Sequence, residues 1–239
     1  NIHSVPIPAY REVYSLEDLE EAKNDMGLPI IIKPVDSRGA RGVQVIQNPD
    51  MLESQYAHSL ACSPQKRVMV EEYLAGPQLS TEGAMINGEV YIPAIFDRNY
   101  EYMDKYAPHI VENGGEMPSV YSEKYNNNIC KVMKSAALAL GIKNGIIKGD
   151  LVIHNDQVKV IELAARLSGG FFGTVATKVS SGVDLVEINI RLALGEEIPT
   201  SLLKPKFNRA AAIRFAFPEA GRIRSIKGVD DVKSDDHCS

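Results

Sequence analysis

Two acidic residues on neighbouring predicted strands are the side chains of this sequence best suited to chemistry. Asp150 and Glu162 interrupt strands that are otherwise apolar at alternate positions, and a broken local pattern is expected at functional sites. Two carboxylates held close together raise each other's pKa unless a cation separates them. A divalent ion that also bridges substrate phosphates is the usual solution, so the pair predicts a metal site.

The turn between these two strands decides whether the carboxylates meet. A two-residue turn pairs Asp150 with Ile161 and sends Glu162 to the other face of the sheet, whereas a three-residue loop, 155–157, pairs Asp150 with Glu162 directly. The metal hypothesis therefore predicts the three-residue loop. It fails if the two carboxylates lie on opposite faces.

Three further features suit a phosphate group. Arg166 continues the face of Glu162 if the chain is extended, and its planar guanidinium fits a phosphoryl group or a surface position equally well. Lys33 lies in an apolar strand and needs a partner for its charge; we favour a ligand phosphate over an edge-strand role. The loop Asp36–Gly42 has glycines that let backbone N–H groups approach oxygen atoms, although alone it is better explained as an exposed turn.

Hydrophobic periodicity and turn residues predict an α+β chain. The predicted strands span 29–35, 43–46, 67–74, 78–86, 89–96 and 210–217, with two more carrying Asp150 and Glu162, and the predicted helices span 15–26, 48–62, 122–140 and 183–194.

Asn87-Gly88 is a strong signal for a two-residue hairpin turn. With that turn, Gln78, Ser80, Glu82 and Asp97 are predicted to share one face of the sheet. The polar segment 98–121 follows; because long loops in compact domains are usually functional, we expect it to contribute to substrate choice.

Composition limits the classes of function. The 239 residues are 44% hydrophobic and 24% charged with a formal net charge of -5, which argues against nucleic acid as a partner. The sequence has no apolar run long enough for a membrane span. Three cysteines without metal spacing indicate reduced thiols and a cytoplasmic location. The chain begins without methionine and ends soon after a predicted strand, so we expect a fragment.

Taken in order, the motifs IIIKP, the glycine loop, VEEYLAGPQLSTEG and GDLVIHNDQVKVIELAARLSGG resemble the ATP-grasp superfamily of carboxylate–amine ligases along nearly the whole chain. The resemblance implies an α+β fold in which ATP binds between two α+β subdomains. It implies a small lid subdomain over residues 1–74, a core antiparallel-sheet subdomain with the metal and substrate site over 75–200, and an incomplete C-terminal subdomain over 201–239.

The same resemblance assigns roles to individual residues. Asp150 and Glu162 hold Mg²⁺, with Mn²⁺ as an alternative, and the catalytic residues are Arg166 and Arg98. The residues that bind ATP are Lys33, Ser37, Arg38, Gly39, Gly42, Glu71, Glu72, Tyr73, Leu74 and Gln78. Those that face the acid or amine substrate are Glu82, Ser168, Gly169 and Gly170.

The sequence departs from the family pattern at three places. Gln78 stands where a ribose-binding glutamate is common, although its amide oxygen can still accept a hydrogen bond. Ala164 stands where relatives often have an asparagine metal ligand, which puts a second metal ion in doubt. The N-terminal domain of relatives has no counterpart in this sequence, and we expect it as a partner from the same protein.

The resemblance implies an ADP-forming ligase that phosphorylates a carboxylate and lets an amine displace phosphate from the acyl phosphate. ELAARLSGG and QLSTEG are most similar to the amino-acid ligase and carbamoyl-phosphate-synthase-like branches, so an amino acid is the expected substrate. The alternatives are a purine-biosynthesis ligase of the same superfamily and a nucleotide-binding domain without turnover. A homodimer is left open, and no nucleic-acid or membrane partner is expected.

Overall fold

The computed structural model describes residues 4–236 and 238, and it contains two antiparallel sheets. The strand order in the first is β1 (Tyr10–Val13), β4 (Val68–Glu72), β2 (Ile30–Pro34) and β3 (Gln44–Ile46). The strand order in the second is β10 (Ala211–Arg214), β7 (Gly114–Met117), β6 (Glu89–Asn99), β5 (Gln78–Ile86), β8 (Gly145–His154) and β9 (Gln157–Ala164). Residues 1–3, 237 and 239 of the predicted subdomains lie outside the described residues. The predicted boundary after residue 74 falls in the connection between the sheets, and the division into subdomains stays a prediction.

The first sheet is covered on one face by two helices. Ser15 caps α1 by accepting a hydrogen bond from the Asp18 backbone N–H at 3.1 Å, as expected for serine before a helix. Ile30 and Ile32 pack under the helices, while alternate positions, including Lys33, face the other way. The elements are β1 Tyr10–Val13, α1 Leu16–Met26, β2 Ile30–Pro34, β3 Gln44–Ile46, α2 Leu52–Ala61 and β4 Val68–Glu72.

The second sheet is covered on one face by the long helix α4. Ile129 and Met133 of this helix pack against Ile147 and Leu151. A Cβ at Gly149 would lie 2.3 Å from the Met133 sulfur, so glycine permits this close packing. The elements are β5 Gln78–Ile86, β6 Glu89–Asn99, α3 Met103–Tyr106, β7 Gly114–Met117, α4 Ser122–Ala139, β8 Gly145–His154, β9 Gln157–Ala164, α5 Thr177–Ser181, α6 Leu185–Ala193, β10 Ala211–Arg214 and α7 Val229–Lys233.

The β5–β6 hairpin has the predicted two-residue turn but not the predicted face. Between Glu82 and Ala84 the pairing slips by one residue, so Asp97 lies opposite Leu79. Asp97 therefore lies on the face opposite to Gln78, Ser80 and Glu82, and the prediction that it shares their face was wrong.

The slip in β5–β6 has a clear local cause. Ile92 and Pro93 together face the single residue Gly83, which is a β-bulge. Pro93 cannot donate to the ladder and is tolerated at such a bulge. A Cβ at Gly83 would lie 2.3 Å from the Tyr91 carbonyl oxygen, so glycine is needed opposite the bulge.

The β8–β9 hairpin has the predicted pairing of Asp150 with Glu162 but not the predicted loop. His154 pairs with Gln157, so the turn has two residues and the predicted three-residue loop was wrong. A second bulge at Ile161 then shifts the register, and Asp150 lies directly opposite Glu162. The two carboxylates consequently share one face of the sheet, as the metal hypothesis requires.

Segment 100–113, after β6, connects the two sheets. The Val45 N–H of β3 donates to the Pro108 carbonyl at 3.0 Å, and Gln44 forms a β-bridge with His109. The His109 ring packs edge-on against His58 of α2, with the ring centroids 5.4 Å apart. The segment is thus an ordered strap between the second sheet and the outer strand of the first.

None of the helices in the part of the chain that the structure describes has both the length and the apolar character needed to cross a membrane.

Candidate active site

Asp150 is a buried carboxylate with two cationic neighbours. Only 7% of the residue is exposed. Its Oδ1 lies 3.2 Å from Nη1 of Arg98, and its Oδ2 forms an ion pair with Nζ of Lys148. A buried charge is expected to be paired in this way. Oδ1 is buried and nevertheless accepts no hydrogen bond from any described residue, so this oxygen keeps unused acceptor capacity beside Arg98.

Arg98 joins Asp150 to the strap. Its guanidinium also pairs with Glu112 and lies 5.4 Å from the ring centroid of Tyr100. Burial disfavours the charged guanidinium, but the charges of Asp150 and Glu112 outweigh burial and raise the pKa of Arg98. Arg98 is therefore a fixed positive charge beside Asp150.

Gln78 is held by Tyr100, whose hydroxyl donates to the Gln78 amide oxygen at 2.9 Å. Burial raises the pKa of Tyr100, so the phenol stays a neutral donor. The amide oxygen that was expected to accept from a ligand thus already accepts one hydrogen bond, and one lone pair is left for a second donor.

Glu162 and Arg166 form an open pair on the same face. Nη2 of Arg166 lies 3.9 Å from Oε1 of Glu162, and their side chains are 58% and 55% exposed. Exposed pairs of this kind contribute little stability. Both side chains are therefore free to turn toward a ligand.

The donor set fits one divalent ion. Mg²⁺ is usually held by one or two carboxylates together with phosphate oxygens and waters, and Asp150 and Glu162 supply two carboxylates on one face. Over the described residues 4–236 and 238, no group of three or more His, Cys, Asp or Glu side chains is placed to hold a metal ion. Ala164, opposite Lys148 in the ladder, offers no oxygen from its side chain.

Lys33 forms an ion pair with Glu71 within the first sheet. Its Nζ lies 2.5 Å from Oε1 of Glu71, and the side chains are 21% and 11% exposed. Because β2 lies between β4 and β3, the alternative that Lys33 protects a sheet edge was wrong. The pair lies on the face of the first sheet that its helices leave free.

The glycine loop is anchored at both ends and exposed at its tip. Asp36 accepts hydrogen bonds from the Ser63 hydroxyl at 2.5 Å and the Gln65 backbone N–H at 2.9 Å; the Ser63 bond is the main cause of the lowered pKa of Asp36. A Cβ at Gly42 would lie 2.7 Å from Pro34. Arg38 and Gly39 at the tip are exposed, and contact of Ser37, Arg38, Gly39 and Gly42 with ATP stays a prediction.

The connection between the sheets carries the other predicted ATP-binding residues. Glu72 lies 3.4 Å from Lys159 of β9. Leu74 is buried and Tyr73 is 36% exposed. A Cβ at Gly76 would lie 2.0 Å from the Ile153 carbonyl oxygen. The connection is therefore packed closely against the β8–β9 hairpin.

A pocket of about 320 Å³ opens beside β9. Met69 and Glu71 line it from the first sheet, and Ile161 and Glu162 line it from the second. Lys33 and Asp150 are not among its lining residues, whereas Ala136 and Ala139 of α4 are, so this pocket lies beside α4 and is not the predicted phosphate site.

Glu82 holds the loop that was predicted to face the substrate. It has no exposed surface, and its Oε2 lies 3.4 Å from the Ser168 backbone N–H. A Cβ at Gly173 would lie 2.5 Å from the same oxygen. Burial raises the pKa of Glu82 to about 7. The carboxylate thus contacts the loop rather than open space, while Gly169 and Gly170 are exposed.

Sequence reasoning missed three residues of this network: Lys148, Tyr100 and Glu112. Lys148 precedes Asp150 by two positions and so shares its face; a lysine among the apolar residues of β8 was the available signal. Tyr100 and Glu112 reach the site through strap geometry, which a sequence pattern does not encode.

A four-stranded antiparallel sheet that carries Lys33 and a six-stranded antiparallel sheet that carries the paired carboxylates are typical of the ATP-grasp class of nucleotide-binding proteins. Residues 2–201 match the family model "Carbamoyl-phosphate synthase L chain, ATP binding domain", and the chain belongs to this family.

Known relatives agree with this class. The chain is 26% identical over 197 residues to the carbamoyl phosphate synthase large chain of Clostridium perfringens, in an alignment that covers 80% of this chain and 17% of that protein. It superposes on the L-amino acid ligase from Bacillus licheniformis with a TM-score of 0.78, at 24% identity, over 97% of this chain and 55% of that chain. For the biotin carboxylase of Campylobacter jejuni the TM-score is 0.73, at 21% identity, over 88% and 47%. The structural likenesses establish the fold.

Proposed function

We propose that this chain is the nucleotide-binding part of an ADP-forming ligase. The ligase joins the carboxylate of an amino acid to an amine. The observation that carries the proposal is the direct pairing of Asp150 with Glu162 on one face. A plain two-residue hairpin would have separated them. The bulge at Ile161 restores the pairing, and together with the family match it supports a metal–nucleotide site.

The chain's own residues supply charge and position. Lys33 and the glycine loop bind the phosphates of ATP from the first sheet, and Asp150 and Glu162 hold Mg²⁺ on the second. When bound, Mg²⁺ neutralises phosphate charge. Arg166 stabilises the negative charge that moves during phosphoryl transfer, since such reactions depend mainly on positioning and electrostatics.

The reaction we propose has two steps. A carboxylate oxygen of the acid takes the γ-phosphoryl group and ADP leaves with the electron pair of the broken bond. The amine nitrogen then attacks the acyl carbon, phosphate leaves, and the nitrogen loses a proton to solvent. Within this scheme the exposed Gly169 and Gly170, together with Arg98, contact the acid or the amine.

The amino-acid substrate is supported by the likeness to the L-amino acid ligase and by the ELAARLSGG motif. The matched proteins are longer than this chain, so we propose that an N-terminal domain of the same protein completes the substrate site.

ADP release from Mg-ATP by the full-length protein, measured across a panel of amino acids, tests the proposal. We expect release that depends on one or a few amino acids. Nucleotide binding without release for any acid would contradict the proposal and favour a binding domain without turnover.

A further inference from the structure

Lys148 is a buried lysine in the middle of the second sheet. It is 8% exposed, and its Nζ forms an ion pair with Oδ2 of Asp150 in which both side chains are 10% exposed. Its cross-strand neighbours are Glu82 on β5 and Ala164 on β9. The ammonium therefore lies on the face that carries both predicted metal ligands.

The Lys148 ammonium makes fewer hydrogen bonds than it can donate. It carries three N–H donors, and among the described residues only the hydrogen bond to Asp150 is made by Lys148. Asp150 also fixes the direction of the side chain. A buried, oriented ammonium with unused donors is suited to bind an anionic ligand such as a phosphate.

The position beside Lys148 does not suit a second divalent ion. Oδ2 of Asp150 is already bonded to the ammonium, and Ala164 has no donor atom in its side chain. A divalent ion bound at Oδ2 would also lie next to the Lys148 ammonium, and like charges at short range repel.

We propose that the Lys148 ammonium is a catalytic residue that binds the transferring phosphate in the position of a second divalent cation, so that the site works with one metal ion. This inference rests on the proposed function, because it requires a nucleotide at this face. It assigns to one side chain the share of charge neutralisation that the second ion of a two-metal site would supply.

Metal counting tests the inference without relying on turnover. In the full-length protein saturated with a non-hydrolysable β,γ-imido ATP analogue, bound Mn²⁺ is counted by electron paramagnetic resonance. We expect one Mn²⁺ per chain in the wild type and in Ala164→Asn, because the ammonium still occupies the position. In the double variant Lys148→Ala with Ala164→Asn we expect two.

Nucleotide affinity gives a second, independent reading. Lys148→Gln removes the charge but can still donate to Asp150, so it spares the fold better than Lys148→Ala, which breaks a buried ion pair. We expect affinity for the analogue to fall at least about tenfold, as for loss of a charged hydrogen bond. Lys134→Ala is the matched control, since Lys134 pairs with Glu89 at the far end of α4 and its loss should change neither quantity.

The outcomes separate the two proposals. Two Mn²⁺ ions in the wild type or in Ala164→Asn overturn the role of Lys148 and leave the ligase proposal standing. Unchanged affinity in a folded Lys148→Gln protein also overturns the role. Absence of any metal-dependent nucleotide binding in the wild type overturns the proposed function itself.

Discussion

The hairpins β5–β6 and β8–β9 start alike and end differently. Both have two-residue turns built on residues with positive φ, and both contain a one-residue bulge farther along. In β5–β6 the bulge moves Asp97 away from the functional face. In β8–β9 the bulge brings Glu162 onto it. Turn geometry thus fixes which residues pair only up to the first bulge, and the bulge decides which acid reaches the site.

Neutralising one acid from each hairpin tests whether the two bulges give Glu162 and Asp97 different roles. Glu162→Gln should lower Mg²⁺-dependent affinity for a non-hydrolysable ATP analogue by about 100-fold, because a metal-ligating charge is lost. Asp97→Asn should leave affinity unchanged, since Asp97 accepts hydrogen bonds from Ser119 and Val120 on the opposite face. Isothermal titration calorimetry measures both. Equal losses would show that the register does not separate the two acids.

The buried acid of β5–β6 should make stability depend on pH. The native pKa of Glu82 is about 7, above its ordinary value of 4.5, so the folded state favours the protonated form. Its contribution is fully present below about pH 4.5 and is lost as pH rises to about 7. Glu82→Gln should remove this loss and be more stable than the wild type at pH 8 by about 3 kcal/mol.

Urea denaturation at pH 5 and pH 8 measures this difference. A Glu82→Gln effect of the same size at both pH values would contradict a proton-linked role. Ser80→Ala, on the same strand and face, is the control, and it should show no such pH dependence.

Arg166, which follows β9, is predicted to affect turnover more than nucleotide binding. Arg166→Ala should lower kcat by about 100-fold, the scale seen for loss of one charge-stabilising donor. Affinity for the nucleotide should change less than about threefold, because an exposed pair contributes little. Steady-state kinetics of the full-length protein test this, with Arg191→Ala, from an exposed pair on α6, as the control. A similar fall in affinity and kcat would make Arg166 a binding residue only.

Deletion of Ile161 is expected to have the smallest effect. Without it, the residue after Val160 is Glu162, which then pairs with Asp150 in an unbulged ladder. Mg²⁺-dependent affinity should stay within about threefold of wild type. Insertion of one alanine after Val160 is the contrasting variant, since it lengthens the bulge. A large loss on deletion, in a folded protein, would mean that the bulge itself contributes to the site.

Local signals in the sequence predicted much of the fold. Ser15 as a helix cap, Asn87-Gly88 as a turn and the apolar stripe of α4 each act over a few residues, and each prediction was confirmed. The metal face could be stated as a hypothesis because Asp150 and Glu162 break an alternating pattern. Whether the two carboxylates share a face depended on the bulge at Ile161, and no proline or glycine in the sequence marks that bulge.

Other features depended on contacts that a linear pattern does not encode. The partners of Arg98 are Glu112 and Asp150, which come from a loop and from a strand far along the chain. The sequence shows Lys148 as a lysine in an apolar strand. Its proposed role could be inferred only once the structure placed Ala164 opposite it. Pro93 in β6 was a readable sign of a bulge and would have corrected the expected position of Asp97.

The strap, segment 100–113, restrains movement between the two sheets. Because the Val45 amide donates to Pro108 and Gln44 bridges His109, the first sheet cannot swing away from the second without breaking backbone hydrogen bonds. The strap also carries Glu112, the partner of Arg98, so movement of the strap away from β3 also shifts a charge that balances Arg98. Hydrogen exchange at the Val45 amide should therefore report how often the strap separates from the first sheet.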